Sequence, residues 1–354
     1  MTITHSPQTL VTKAPISWKK RILYTLERVM YWTGMGFAYV KYKQIKGVTI
    51  LMYHSVASPE SAQWIDPNVH ITPELFDTHM NFLAQNRHVI SVSELMMQLG
   101  RGETPPAGTV AITFDDGYID NMTVAAPILE KYGLPAMWYI PTGMVNRGEN
   151  PWIDRMYTAF KTRRQNKLSL EGIGKWDLGD IDQLFSAYNK LREKMLSASF
   201  EERESIIAHL IEQIQPTKTP PRLILSWDEL KEVEKKYPHI EIGLHSHNHI
   251  DYSNDDQKVV EMDLKQSLTD FNRELERPPA HFAFPYNRHS DESRAMLLES
   301  GLHSAMGQNN ETLITTNTDY FALPRIDPPC SMTLLRFYTS GAFPGLPNTI
   351  LNRK

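Results

Sequence analysis

Val110-Ala111-Ile112-Thr113-Phe114-Asp115-Asp116-Gly117 reads as a short β-rich run that breaks off on two carboxylates and a glycine. β-Branched and aromatic residues favour a pleated, buried strand, and Asp-Gly marks its end. The same grammar recurs along the chain. Apolar runs at residues 48–53, 136–140, 240–244, 281–284, 303–306 and 320–323 are separated by helical stretches, the pattern of β/α units. One helix is expected to open at Thr72-Pro73-Glu74, with Thr as N-cap and Pro at the first helical position. Another is expected to run from Gly117 to a cap at Gly133. Seven such runs predict an α/β fold, a barrel-like (β/α) architecture of about seven strands. Polar residues stand where the runs end: His54, Asp115, Asp116, His245 and Tyr286. Strand ends are where barrels of this kind build their sites.

The spacing breaks between residues 146 and 226, a polar stretch with helical patterns at 184–196 and 200–214 that reads as a helical insertion. Its opening places Trp152 and Asp154 where a substrate could touch them, although Trp152 serves equally well as an apolar anchor. The chain ahead of the first strand differs again. Residues 1–50 carry a formal charge of +7 and the rest −11. Apolar residues in the arm recur at helical spacing. Residues 1–46 therefore read as a basic amphipathic helical arm and 47–354 as one domain containing the insertion.

Glu27 and Arg28 interrupt any signal-peptide core, and no apolar run approaches about 18 residues. Residues 13–46 suit peripheral contact with an anionic membrane, or a helix packed on the domain. The expected location is the cytoplasm or the inner membrane face. The acidic body argues against nucleic acid as a partner. The single cysteine, Cys330, excludes an internal disulfide and a thiolate metal cluster.

Asp-Asp-Gly can be an ordinary turn, and clustered histidines can be surface residues. Their joint placement says more. His245-Ser246-His247-Asn248-His249 follows the run at 240–244, so His245 sits at a strand end and His249 lies within reach of the same point. A carboxylate with two imidazoles leaves cation positions open for water and substrate, as catalytic sites require. Such ligands suit Zn²⁺, with Co²⁺, Ni²⁺ or Mn²⁺ as alternatives. His247, between them, is expected to point elsewhere.

These motifs, with Phe282-Ala283-Phe284-Pro285-Tyr286, resemble in order the first three motifs of the NodB-homology polysaccharide deacetylases (carbohydrate esterase family four). The resemblance implies a metal-dependent hydrolase that removes N-acetyl groups from N-acetylated sugars of a polysaccharide or glycoconjugate. It implies Asp116, His245 and His249 as metal ligands, Asp115 as general base, and Pro285-Tyr286 as the loop whose backbone N–H holds an oxyanion. No Leu-x-His follows residue 306. The chain opens its barrel instead with Leu51-Met52-Tyr53-His54, similar to the rearranged order of poly-N-acetylglucosamine deacetylase-like members, which makes His54 the general acid. Ala283 replaces the arginine that usually orients the base, and Arg325 could supply that charge from another strand. De-O-acetylation or deformylation of a lipid-linked or surface glycan would use the same chemistry. A glycan-binding protein on this scaffold is the alternative outside enzymes.

Overall fold

A computed structural model describes residue 42 and residues 45–308 and 313–341. Of the basic arm, only Tyr42, Ile45 and Lys46 fall among them, so the amphipathic reading of residues 13–46 lies otherwise outside the described residues. No helix among the described residues is long and apolar enough to cross a membrane.

Seven parallel strands form a nearly closed barrel. They are β1 (Val48–Tyr53), β2 (Thr109–Phe114), β3 (Ala136–Ile140), β4 (Ile240–Leu244), β5 (His281–Ala283), β6 (Ser304–Met306) and β7 (Arg325–Ile326). They lie side by side in the order β6-β5-β4-β3-β2-β1-β7. The seam between β6 and β7 is bridged through Leu323, whose N–H donates to the Ala305 carbonyl at 2.9 Å and whose carbonyl accepts from Gly307 at 2.9 Å. The expected final strand at 320–323 is thus displaced. Tyr320 and Leu323 bond to β6, Pro324 interrupts the ladder because it has no N–H, and the strand resumes at Arg325 beside β1.

Side chains alternate between two cores, as a period of two demands. Ile50, Ala111, Met137, Tyr139, Ala283 and Met306 pack together within the ring. Leu51, Tyr53, Ile112, Phe114, Trp138 and Ile140 pack outward in the core beneath the helices. The helix Pro73–Asn86 starts as expected, with the Thr72 hydroxyl accepting from the Leu75 N–H at 3.3 Å. The chain after Gly117 passes through a π-helical turn, Asn121–Ala125, before the α-helix Ala126–Tyr132 ends at left-handed Gly133.

The insertion holds helices Trp152–Thr162, Ile181–Leu196 and Phe200–Ile214. It also holds an antiparallel hairpin, Lys167–Leu170 with Gly174–Asp177, that the helical reading did not foresee. It has a core of its own, around Met156, Phe160, Leu191, Ile207 and Leu210. Asp154 joins it to the barrel from complete burial. Its carboxyl accepts from the Asp66 N–H and the Tyr118 hydroxyl, both at 2.7 Å. Burial, with Asp66 nearby, pushes this carboxyl well above the usual range. Asp154→Ala leaves both donors unmatched in a dry interface. A loss of about 2 to 4 kcal/mol is expected, read from the denaturant midpoint.

Candidate active site and metal centre

The strand register delivers the functional side chains to one end of the barrel. Tyr53 pairs with Phe114, so His54 and Asp115 leave their strands at the same level. The Asp115 N–H donates to the Tyr53 carbonyl at 3.0 Å. The segment after His54 is then held by the loop after β2. Asp120 accepts from the Ser55 hydroxyl at 2.6 Å and the Val56 N–H at 3.0 Å. The Asn121 amide, oriented as a donor, reaches the His54 carbonyl at 2.8 Å.

Five non-glycine residues in these loops adopt left-handed backbone: Asp116 (φ 69°), Ser246 (67°), His249 (51°), Tyr286 (58°) and Asn287 (57°). Such conformations cost energy and persist only where neighbours over-determine them. The neighbours are present. Asp263 accepts from the His247 and Asn248 N–H groups at 2.9 and 2.8 Å and from the Tyr252 hydroxyl at 2.9 Å. The Ser246 hydroxyl accepts from the His249 N–H at 2.9 Å. The Gly143 N–H donates to the His247 carbonyl at 2.9 Å, and a Cβ at Gly143 would sit 2.6 Å from that oxygen. Glycine is therefore required there. The His247 ring faces away, its Nδ1 3.0 Å from Thr142 Oγ1 and 3.2 Å from Asp270 Oδ2.

Asp116, His245 and His249 converge, with their ligand atoms all within 4.8 Å of one another. Asp116 Oδ1 lies 3.5 Å from His245 Nε2 and 3.2 Å from His249 Nε2. Donors at about 2.0 to 2.1 Å from a tetrahedral cation are separated by about 3.3 Å, close to the two spacings from Asp116, so the three side chains can face one cation. His245 Nδ1 donates to the Ala283 carbonyl at 2.7 Å, which leaves Nε2 with its lone pair toward the site. Asp116 Oδ1 is buried and has no hydrogen-bond partner among the described residues. An acceptor left without a proton donor in a dry site matches a cation position.

Beside this triad, Arg325 grips Asp115 in a bidentate pair, Nη1 to Oδ1 at 2.6 Å and Nη2 to Oδ2 at 2.7 Å. Arg325 also donates to Asn287 Oδ1 at 2.9 Å, so one guanidinium ties the base candidate to the Tyr286 loop. Burial alone would raise the Asp115 carboxyl, but Arg325, helped by His245, outweighs it and holds the group below the usual range. For Asp116, burial is outweighed by His245 and His249, and the carboxyl lies well below that range. His54 contributes to the lowering of both.

The other expected site residues separate. Tyr286 lies against the His249 ring, centroids 4.7 Å apart at 90°. Pro285 is buried beneath the loop. Trp152 is partly buried and donates to the Tyr286 hydroxyl at 3.0 Å. Asp154 faces the barrel–insertion junction, where burial gives it a structural contact in place of one with substrate. Sequence reading missed Asn287, Asp263 and Arg203. Asn287 directly follows the third motif, whereas Asp263 and Arg203 sit in charge-rich helical text that looks like solvated surface.

Residues 102–305 match the polysaccharide deacetylase family, and the chain belongs to that family. YxkH of Bacillus subtilis (strain 168), named as a polysaccharide deacetylase, is 35% identical over 100 residues. The match spans 28% of this chain and only 33% of that relative. Among solved structures, the Streptococcus pyogenes deacetylase PplD in complex with acetate aligns with a TM-score of 0.54 at 20% identity, covering 83% of this chain and 99% of that one. IcaB from Ammonifex degensii aligns at 0.53 and 16%, covering 84% and 98%. A de-N-acetylase from Aggregatibacter actinomycetemcomitans aligns at 0.53 and 18%, covering 82% and 99%. At these identities the structural likeness speaks to the fold: the nearly closed barrel is that of the deacetylases.

Arg325→Met removes the counter-charge and leaves Asp115 buried alone. The expected loss is about 3 to 5 kcal/mol. The pH dependence should also reverse. In the parent the lowered carboxyl contributes stability present above the unfolded carboxylate pKa and lost as pH falls through the folded one. In the variant burial dominates and raises that pKa, so stability falls as pH rises. Denaturant melts from about pH 3 to 8 check the sign, the parent losing stability at the acid end and the variant toward the neutral end.

Proposed function

We propose that this polysaccharide deacetylase is a metal-dependent N-deacetylase acting on N-acetylated sugars of a polysaccharide or glycoconjugate, with acetate and a free amine as products. The observation that carries the reading is the Asp116–His245–His249 triangle set beside the Arg325-clamped Asp115. IcaB and the de-N-acetylase share the fold, and the latter's name supports an amide as the scissile group.

Asp116, His245 and His249 would hold the cation, Zn²⁺ being the best match to one oxygen and two nitrogen ligands. When bound, the cation supplies Lewis acidity at the carbonyl oxygen and acidifies a nearby water. Asp115, kept ionised and aimed by Arg325, takes the proton as the water oxygen adds to the acetamide carbon. The Tyr286 backbone N–H faces the developing oxyanion. His54, protonated, gives its proton to the sugar nitrogen as the C–N bond breaks, because an amide anion is too poor a leaving group. The family match begins at residue 102, downstream of β1. A rearranged order, with the acid-bearing strand moved to the front, accounts for His54 lying outside it.

Acetate release from N-acetylglucosamine oligomers, with O-acetyl and N-formyl sugars in parallel, tests the reading. Asp115→Asn and His54→Ala are each expected to lower kcat by roughly 10² or more while the metal is retained. Unchanged turnover in both variants removes the assigned roles, and preference for the ester or formamide moves the substrate class. His249→Ala should lose metal by elemental analysis, together with activity.

A further inference from the structure

Arg203 is the most unusual charged side chain outside the proposed chemistry. It lies in the insertion helix Phe200–Ile214 and is 2% exposed. Its side-chain hydrogen bonds go to neutral oxygens, with Asp255 near enough to feel its charge. Burying a guanidinium against neutral acceptors is costly, so the contacts it makes there are informative. Nη1 donates to the Tyr286 hydroxyl, and Nη2 donates to the Asn248 carbonyl at 3.2 Å. Trp152, from the first insertion helix, donates to the same hydroxyl at 3.0 Å. The hydroxyl in turn donates to the His249 carbonyl at 3.4 Å. One phenol oxygen thus accepts twice and donates once, its full capacity.

The two insertion helices that supply these donors are themselves locked together. Arg155 grips Glu204 in a bidentate pair at 2.8 and 2.9 Å and also meets Glu149. The loops being held are the strained ones, with His249, Tyr286 and Asn287 all left-handed. Asn287 is fixed from the barrel side by Arg325, and Tyr286 from the insertion side by Arg203 and Trp152.

We propose that Arg203 and Trp152 are positioning residues, through which the insertion holds the Tyr286 loop and the His249 loop in their working conformation. The insertion is then part of the catalytic machinery without touching the reacting atoms. The assignment rests on the deacetylase reading for its effect on rate, but not for its effect on the loops.

The experiment uses the full chain with saturating Zn²⁺ and the variants R203M, R203K, W152F, Y286F and R203M/Y286F. Two readouts are taken: hydrogen exchange across residues 284–289, and kcat and KM for acetate release. R203M is expected to speed exchange in that segment and to lower kcat roughly 10- to 100-fold, the cost of a misplaced group, with KM nearly unchanged. R203K should recover part of both effects. W152F, which removes the indole donor and some ring volume while keeping an aromatic anchor, should shift exchange in the same direction by less. The double variant should fall well short of the product of the two single losses, because both substitutions remove the Arg203–Tyr286 contact. Unchanged exchange in W152F and Y286F, or losses that multiply in the double variant, overturns the proposal. If R203M does not fold, W152F and Y286F still decide it. If the unaltered chain releases no acetate, the deacetylase reading fails while exchange still judges the clamp.

Discussion

Everything at the mouth of this barrel depends on one buried ion pair. Asp115 and Arg325 are nearly inaccessible, and neither could be charged there without the other. Their bidentate contact does three things at once. It keeps the Asp115 carboxyl ionised against the pull of burial. It fixes the plane of that carboxylate. Through Asn287 it also reaches the strained loop that carries Tyr286. The ring 5.6 Å from the guanidinium, Tyr139, adds an aromatic face to the same charge.

Around that pair the site is assembled from loops whose backbone would not hold its shape alone. Left-handed residues at five non-glycine positions need external restraint, and three sources supply it: Asp263 from a barrel helix, Arg325 from the last strand, and the insertion. Polar contacts supply this rigidity, from Asp263 to backbone N–H groups and from Arg325 and the insertion to the side chains of Asn287 and Tyr286. Hydrogen bonds of this kind are directional, which suits loops that must hold a ligand or an N–H to within fractions of an ångström.

The barrel and the convergence of Asp116, His245 and His249 were legible in the sequence because both are written in short-range terms. Strands announce themselves by β-branched and aromatic runs, and Asp115, Asp116, His245 and His249 stand one or a few residues beyond them. Arg325 could be suspected from Ala283, but its partner lies 210 positions away and no local pattern connects them. Arg203 was invisible for a different reason. It stands among Glu201, Glu202 and Glu204 in text that looks like a solvated face, and only the folded insertion reveals that Arg203 is turned inward. The hairpin at 167–177 was hidden by its two-faced strands, with Leu168, Leu170 and Trp176 buried among polar neighbours. Pro324 displaced the last strand, because a missing N–H matters only once the neighbouring strand is known.

The order in which the chain supplies these parts has its own consequence. Asp115 follows the second strand of the barrel and Arg325 lies on the last, so the two halves of the buried pair stand 210 positions apart in the chain. β7 lies against β1, and Leu323 just ahead of it bonds to β6. The segment that closes the ring thus also completes the pair, so ring closure and the counter-charge of Asp115 rest on one stretch of chain.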